Sequence, residues 1–227
     1  HRTVCTGKRN GPVGSVTRKG TQFAVEIADK TRTFDRVVVA LPAHVAARCV
    51  RSLDDVLARE LEGIDYASAA TVTMLWSRSD VRHPLDAFGF VVPARERCEV
   101  LASTWANVKY EGRAPADKAL IRVFIGGFQG QARAALPDTE LVALARRELA
   151  GLMGIQAEPH WAKVVRYQRA MPQYKLGHLA RVARIEELAN KHTGFALACN
   201  AYRGVGIPDA VHSGERAAER ILGETRS

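Results

Sequence analysis

A stretch near the C-terminus combines a short apolar run, a loop with two glycines and a helical pattern. Residues 195–199 are typical of a buried strand, Gly204 and Gly206 free the backbone, and Pro208 suits the first turn of a helix. Unpaired N–H groups at a helix start can bind a phosphate or the electron-rich edge of a ring. The alternative is an ordinary turn, with Asp209 there only to complement the helix dipole.

Three segments resemble, in the same order, segments of the oxygen-dependent protoporphyrinogen and coproporphyrinogen oxidases, which are FAD enzymes of the flavin amine-oxidase superfamily. They are residues 112–115 with 122–127, the Pro-Gln-Tyr-x-x-Gly-His run at 172–178, and residues 200–209 with 213–215. The resemblance covers nearly the whole chain but only the C-terminal half of the family. It implies an FAD-dependent oxidoreductase of heme biosynthesis.

The resemblance also implies which residues contact FAD. The matching positions are Val13, Asn200, Val205, Gly206 and Ile207. Val13 matches a position whose backbone meets the adenine side, although a simple core valine is the alternative. Cys199 stands where the family usually has glycine, and its side chain would crowd the flavin ring if the backbone approaches closely.

The implied substrate is a porphyrinogen, a macrocycle with reduced carbon bridges and carboxylate side chains. Hydride would leave a bridge carbon for the flavin, protons would leave the pyrrole nitrogens, and dioxygen would reoxidise the flavin. The family's substrate-lining positions match Val91, Thr104 and Phe124, with Phe124 stacking on the macrocycle. Thr104 stands where an apolar residue is frequent. All three also lie on predicted strands, so plain sheet packing is the alternative.

Ordinary catalytic motifs are absent: the sequence contains no G-x-S-x-G, no H-E-x-x-H and no P-loop. We therefore identify no catalytic residue and no metal site, which suits an enzyme whose cofactor performs the chemistry. The G-x-G-x-x-G segment that would cradle the FAD pyrophosphate is also absent. With His1 in place of a methionine, this predicts a missing N-terminal FAD-binding half and a chain that alone is not a competent oxidase.

Amino-acid composition limits which partners and which cellular location the sequence predicts. The 227 residues are 47% hydrophobic and 25% charged, with a net charge of +9 that suits an anionic partner. The basic residues are scattered without an RNA-binding motif, so we predict no nucleic-acid partner. No apolar run reaches eighteen residues, and the four cysteines are widely spaced, which favours a cytoplasmic protein with at most peripheral membrane contact.

Hydrophobic periodicity predicts the strands and helices on which these residues lie. Residues 12–41 are predicted to form a β-meander that ends in a buried strand at 37–41, followed by one helix over 44–63. Strands are predicted at 70–76, 88–92, 100–105, 120–125 and 160–168, with a helix over 138–153. In the last helix, Val211, Gly214, Ala218 and Ile221 are predicted to face a sheet.

These elements predict a mixed α/β (α+β) fold: a partial FAD-binding, Rossmann-like domain with an inserted mixed-sheet substrate-binding domain. The expected boundaries are 1–43 and 191–227 for the FAD domain and 44–190 for the insert. Two other functions stay open. One is a different flavin enzyme, an amine oxidase or a phytoene-desaturase-like protein, and the other is a non-catalytic binding module.

Overall fold

A computed structural model of the chain describes residues 12–28 and 30–223. These residues have the predicted mixed α/β composition. The strands are β1 (Val13–Lys19), β2 (Gln22–Ile27), β3 (Lys30–Phe34), β4 (Val37–Val39), β5 (Tyr66–Ser77), β6 (Gly89–Val91), β7 (Val100–Trp105), β8 (Lys118–Gly126), β9 (Trp161–Pro172) and β10 (Phe195–Leu197). The helices are α1 (Ala43–Val50), α2 (Asp55–Glu62), α3 (Ala106–Lys109), α4 (Gln131–Ala134), α5 (Asp138–Met153), α6 (His178–Asn190) and α7 (Ile207–Gly223).

The chain divides into two compact units. The first comprises the residues up to Asp65 and those from Pro172 onward, and the second is Tyr66–Met171. The assignment of FAD and substrate domains stays a prediction, but this division at 65/66 and 171/172 differs from the predicted boundaries at 43/44 and 190/191. The reason is helix packing, because α1 contacts α2 and β1, while α2 contacts α6. A salt bridge of 2.8 Å between Arg181 and Glu60 joins α6 to α2.

The first unit contains the predicted meander, with β1, β2 and β3 in antiparallel order. Strand β4 runs parallel to β10, with Phe195 opposite Val37 and Leu197 opposite Val39. Beyond this pairing, the Ala198 N–H donates to the Val39 carbonyl at 3.1 Å. Val38 is exposed, so β4 is not the fully buried strand that its apolar sequence predicts.

The helix predicted over residues 44–63 is two helices, α1 and α2. Asp54 interrupts it as the N-cap of α2, because its carboxylate accepts the Leu57 N–H at 2.9 Å. The helical spacing predicts one buried face of Val50, Leu53, Leu57 and Leu61; Val50, Leu57 and Leu61 are fully buried, whereas Leu53 is only partly buried.

The second unit is a five-stranded sheet in the order β6-β7-β8-β5-β9. Helix α5 spans the predicted residues and packs with one face of the sheet, and the buried core includes Met74, Trp76, Ile121, Leu141 and Leu149. Because side chains alternate along a strand, every second residue of β5, β7 and β8 points to the opposite face. That opposite face carries Thr104 and Phe124.

Helix α7 buries a face that differs from the predicted one. Val211 and Ala218 are exposed, whereas Ser213 and Ala217 are buried. Ser213 turns inward because its hydroxyl accepts the Cys199 N–H at 3.1 Å, and Arg220 turns toward the Phe195 carbonyl, to which it donates at 2.6 Å. Although α7 has 17 residues, neither it nor any other helix in the described ranges is long and apolar enough to cross a membrane.

Candidate functional site

The loop between β10 and α7, residues 198–206, folds back on the first turn of the helix. The Gly206 N–H donates to the Asp209 carboxylate at 3.2 Å, and the Ala210 N–H donates to the Gly206 carbonyl at 3.0 Å. A Cβ at Gly204 would lie only 2.3 Å from Cγ of Asp209, so the loop can close only with glycine there. Asp209 therefore has a structural role, because its carboxylate holds the loop against the first turn of the helix. We call residues 198–206 the glycine loop.

Helix α6 and the segment before it anchor the glycine loop. The Tyr174 hydroxyl donates to the Asn200 carbonyl at 2.7 Å, and His178 Nε2 lies 2.9 Å from the Tyr202 carbonyl, to which it donates. The two rings stack with centroids 3.9 Å apart. Burial raises the pKa of Tyr174, so its hydroxyl stays protonated and remains a donor.

A charged pair adds a further anchor to the same loop. Arg203 donates to both carboxylate oxygens of Glu186 on α6, with Nε–Oε1 at 2.8 Å and Nη2–Oε2 at 2.5 Å. These hydrogen bonds, opposed by partial burial, lower the pKa of Glu186 below its usual range. A bidentate pair of this kind fixes orientation as well as position. The glycine loop is therefore held from one side by α6.

Four of the five residues predicted to contact FAD lie on or beside the glycine loop. Val205 and Ile207 are 60% and 83% exposed, so two aliphatic side chains face solvent at the start of α7. Gly206 lies between them, and Asn200 opens the loop after Cys199. The Cys199 thiol donates to Asn200 Oδ1 at 3.3 Å.

Val13, the fifth predicted residue, lies at the start of β1. Its carbonyl accepts a hydrogen bond from the Cys49 thiol, with sulfur and oxygen 3.6 Å apart. Burial raises the pKa of Cys49, against the effect of Arg48, so this thiol remains protonated. The Val13 side chain is partly exposed and lines an apolar cavity of about 380 Å³ in the first unit. Contact with the adenine side of FAD stays a prediction for this residue.

The residues of the glycine loop fit the ring of a flavin. Exposed Val205 and Ile207 offer an apolar surface at the positive end of the α7 dipole. Within the described ranges no acceptor pairs with Nδ2 of Asn200, so this amide can donate to a ring edge. These are the groups that would hold the isoalloxazine ring, whose bound form supplies hydride acceptance.

The three predicted substrate residues share one face of the second unit's sheet. Val91 pairs with Ala102, which pairs with Phe124, so these residues form one cross-strand row, and Thr104 lies on the same face beside Arg122. Thr104 and Phe124 line one cavity of about 440 Å³. Val91 is 80% exposed and lines a different cavity at the sheet edge. The fold therefore places two of the three together.

The sequence reasoning missed the charged residues of that cavity. Its lining contains four cationic side chains and no carboxylate, and the cations are Lys109, Arg113, Arg122 and Lys163. The available signal was period-two alternation, because Arg122 lies two residues before Phe124 on β8. We call this space the cationic cavity.

Gly126 and Gly127 end β8 near Phe124, where the sequence suggests close approach of a ligand. The structure gives another reason for Gly126. Its φ is +108°, and a Cβ there would lie 2.9 Å from the Ser68 carbonyl and 3.0 Å from the Ala134 Cβ. Gly126 is therefore required by packing within the second unit.

This fold is that of FAD-dependent oxidoreductases: a parallel strand pair that leads through a glycine loop into a helix, with a five-stranded sheet, antiparallel at β5–β8, β6–β7 and β7–β8, inserted in the chain. The family model of flavin-containing amine oxidoreductases matches residues 8–222. The chain belongs to this family.

Similar proteins include porphyrinogen oxidases. The chain is 28% identical to coproporphyrinogen III oxidase of Bacillus subtilis, over 92% of this chain and 45% of that protein. It is 29% identical to protoporphyrinogen oxidase of Bos taurus, over 89% of this chain and 43% of that protein. A solved structure from Exiguobacterium sp. 255-15, described as a protoporphyrinogen oxidase, superposes with a TM-score of 0.80 at 26% identity, covering 96% of this chain and 47% of that one. The chain thus spans slightly less than half the length of these relatives.

Proposed function

We propose that this chain is the substrate-binding and flavin-facing portion of an FAD-dependent oxidase that converts a porphyrinogen to the porphyrin with dioxygen as acceptor. The observation that carries the proposal is the cationic cavity, whose lining combines aromatic side chains with four cations. Family membership and the names of the relatives support the same reaction. Peripheral membrane contact stays a prediction.

The chain's own residues would bind the macrocycle and orient the flavin. Phe124 and Tyr167 line the cationic cavity and offer ring faces on which a macrocycle can stack. Asn200 and the apolar pair beside Gly206 would orient the flavin, and α6 would hold that loop still. No side chain on these surfaces is needed as a general base in this proposal, because a bound flavin would supply hydride acceptance and solvent would accept the pyrrole protons.

Binding of the FAD pyrophosphate would need a structural element in addition to the glycine loop. The sequence has no G-x-G-x-x-G segment, so we propose that a separate N-terminal portion supplies that cradle. This portion would also complete the enzyme. The chain alone should bind porphyrin but should not oxidise a porphyrinogen.

Substitution of Phe124 tests the proposal. Phe124→Ala should weaken binding of mesoporphyrin IX to the chain about twofold to tenfold, because an aromatic stacking contact contributes about 0.5–1.5 kcal/mol. Porphyrin fluorescence measures the affinity, and thermal unfolding measures the stability. Phe124 lies outside the buried core, so its loss should lower stability far less than Ile121→Ala, for which about 2–5 kcal/mol is expected.

The matched control is Phe90→Ala, because Phe90 lies on the core-facing side of β6 and does not line the cationic cavity. It should reduce stability and leave porphyrin affinity unchanged. A chain that is folded by circular dichroism and binds no porphyrin would contradict the proposed function.

A further inference from the structure

The four cations of the cationic cavity lack acidic partners. No described aspartate or glutamate forms a salt bridge with Lys109, Arg113, Arg122 or Lys163, although ion pairs are frequent elsewhere in the chain. Arg122 Nε donates to the Thr73 hydroxyl at 3.2 Å, a neutral acceptor. An accumulation of unneutralised charge of one sign in a concave site attracts a ligand of the opposite sign.

Two of the cations are held in place by an aromatic ring. Lys109 Nζ and the Arg113 guanidinium each lie 5.5 Å from the centroid of the Tyr110 ring. Cation–π contacts of this kind position a charge without neutralising it. Lys109 and Arg113 therefore remain able to pair with an anion.

The cations come from several elements that line the same cavity as Phe124. Arg122 is two residues away on β8, which corresponds to about 7 Å along the strand. Lys163 lies on β9, separated from β8 by β5, which corresponds to about 10 Å across the sheet. Lys109 and Arg113 lie at the end of the cavity formed by α3 and the loop after it. Charges from several elements in a cavity that also contains aromatic rings suit a flat ligand with acidic arms on several sides.

We infer that the cationic cavity recognises the carboxylate arms of the macrocycle and selects a porphyrinogen with four carboxylates over one with two. The inference rests on the proposed function and adds the substrate class and the residues that select it. Arg122 and Lys163 are the specificity-determining residues, since they lie on different strands and line the same cavity as Phe124. Arg122 can bind a carboxylate through two nitrogens, whereas Lys163 acts as a point charge.

The test compares two stable porphyrins that differ in carboxylate number. Coproporphyrin III carries four carboxylates and mesoporphyrin IX carries two, and their fluorescence reports binding to the 227-residue chain. Two additional exposed ion pairs at about 0.2–1 kcal/mol each predict about twofold to thirtyfold tighter binding of coproporphyrin III. The preference should shrink at 1 M salt, where the Debye length is about 3 Å.

Single substitutions identify the residues that cause the preference for coproporphyrin III. Arg122→Gln and Lys163→Gln should each reduce the preference for coproporphyrin III and change mesoporphyrin IX affinity less. Arg95→Gln is the matched control, because Arg95 is an exposed cation of the same unit that does not line the cavity. It should leave both affinities unchanged. Both charge variants are included because Arg122 also contacts Thr73, whereas no hydrogen bond to Lys163 must be replaced.

The outcomes separate this inference from the proposed function. Equal affinity for both porphyrins, or a preference that Arg122→Gln and Lys163→Gln do not alter, would overturn the selection and leave porphyrin binding standing. Failure of a folded chain to bind either porphyrin would overturn both. Displacement of coproporphyrin III by an equal charge concentration of oligothymidine would assign the cavity to single-stranded nucleic acid, which also combines stacking and cations, and would overturn the inference.

Discussion

Tyr174 and His178 give the Pro-Gln-Tyr-x-x-Gly-His segment a physical role. Both side chains hold backbone carbonyls of the glycine loop, and their stacked rings fix each other's orientation. The sequence singled out this segment only by resemblance. No residue pattern indicates that a tyrosine at 174 and a carbonyl at 200 meet, because that contact depends on how α6 packs beside β10.

Removing the Tyr174 hydroxyl should loosen the glycine loop without unfolding the chain. Tyr174→Phe keeps the stacked ring but loses one hydrogen bond, which contributes about 0.5–1.5 kcal/mol. Amide hydrogen exchange at residues 199–204 should accelerate by about twofold to tenfold. Tyr167→Phe is the matched control, since Tyr167 lies on β9 in the other unit and should leave this loop unchanged. Unaltered exchange in Tyr174→Phe would show that the stack alone positions the loop.

At the scale of elements, the sequence predicted a helix correctly where its hydrophobic repeat is uninterrupted. It missed features that depend on buried polar groups. Helix α5 begins at Asp138 and ends at Met153 as expected, because its leucines repeat without interruption and Gly154 adopts a left-handed conformation after it. The split at Asp54 was missed because apolar spacing continues through the break. The face of α7 was misplaced because Ser213 and Arg220 are drawn inward by hydrogen bonds that hydrophobicity does not encode.

Asp54 links the start of α2 to the turn after α6. Its Oδ1 accepts the Leu57 N–H, and its Oδ2 lies 3.0 Å from His192 Nε2. Burial favours the protonated carboxyl, but these hydrogen bonds and the charge of His192 together outweigh burial, so the pKa of Asp54 lies below its ordinary value of 3.8. One side chain thus joins two helices that are far apart in the sequence.

Substitution of Asp54 should therefore destabilise the first unit. Asp54→Ala removes the cap and should lower the free energy of unfolding by about 0.5–2 kcal/mol. Asp54→Asn keeps a capping oxygen and should cost less. Denaturant unfolding at pH 7 measures both, and a larger loss for the asparagine variant than for the alanine variant would contradict the capping role.

The same side chain predicts a pH dependence with a definite sign. Because folding depresses the pKa of Asp54, its stabilising contribution is complete above pH 3.8 and is lost as the pH falls through the lower value of the folded state. Unfolding curves of the natural chain and Asp54→Asn should converge in that acidic range. Parallel curves down to the acid transition would show that the Asp54 charge does not contribute.

At the scale of the whole molecule, the sequence lacks the G-x-G-x-x-G segment that would cradle the FAD pyrophosphate, whereas the flavin-ring contacts proposed above lie on the glycine loop. We therefore expect FAD to bind the isolated chain only weakly, since the remaining contacts reach the ring and adenine edges. Flavin fluorescence during titration with the chain measures this. Saturable binding at micromolar FAD would show that no separate N-terminal portion is needed for cofactor binding. Gly206→Leu should abolish residual quenching, because a Cβ at Gly206 already lies 2.9 Å from Asp209 Oδ2.

The parallel pairing of β4 with β10 also determines the order in which parts of the chain can fold during synthesis. Val37 pairs with Phe195, so about 160 residues must be added before β4 meets this partner. At about 5–20 residues per second, translation separates the two strands by about 8–30 s. The second unit has all its strands in one continuous segment and can form its sheet during this interval. In a nascent chain, the second unit can therefore be folded while the apolar residues of β4 are still unpaired with β10.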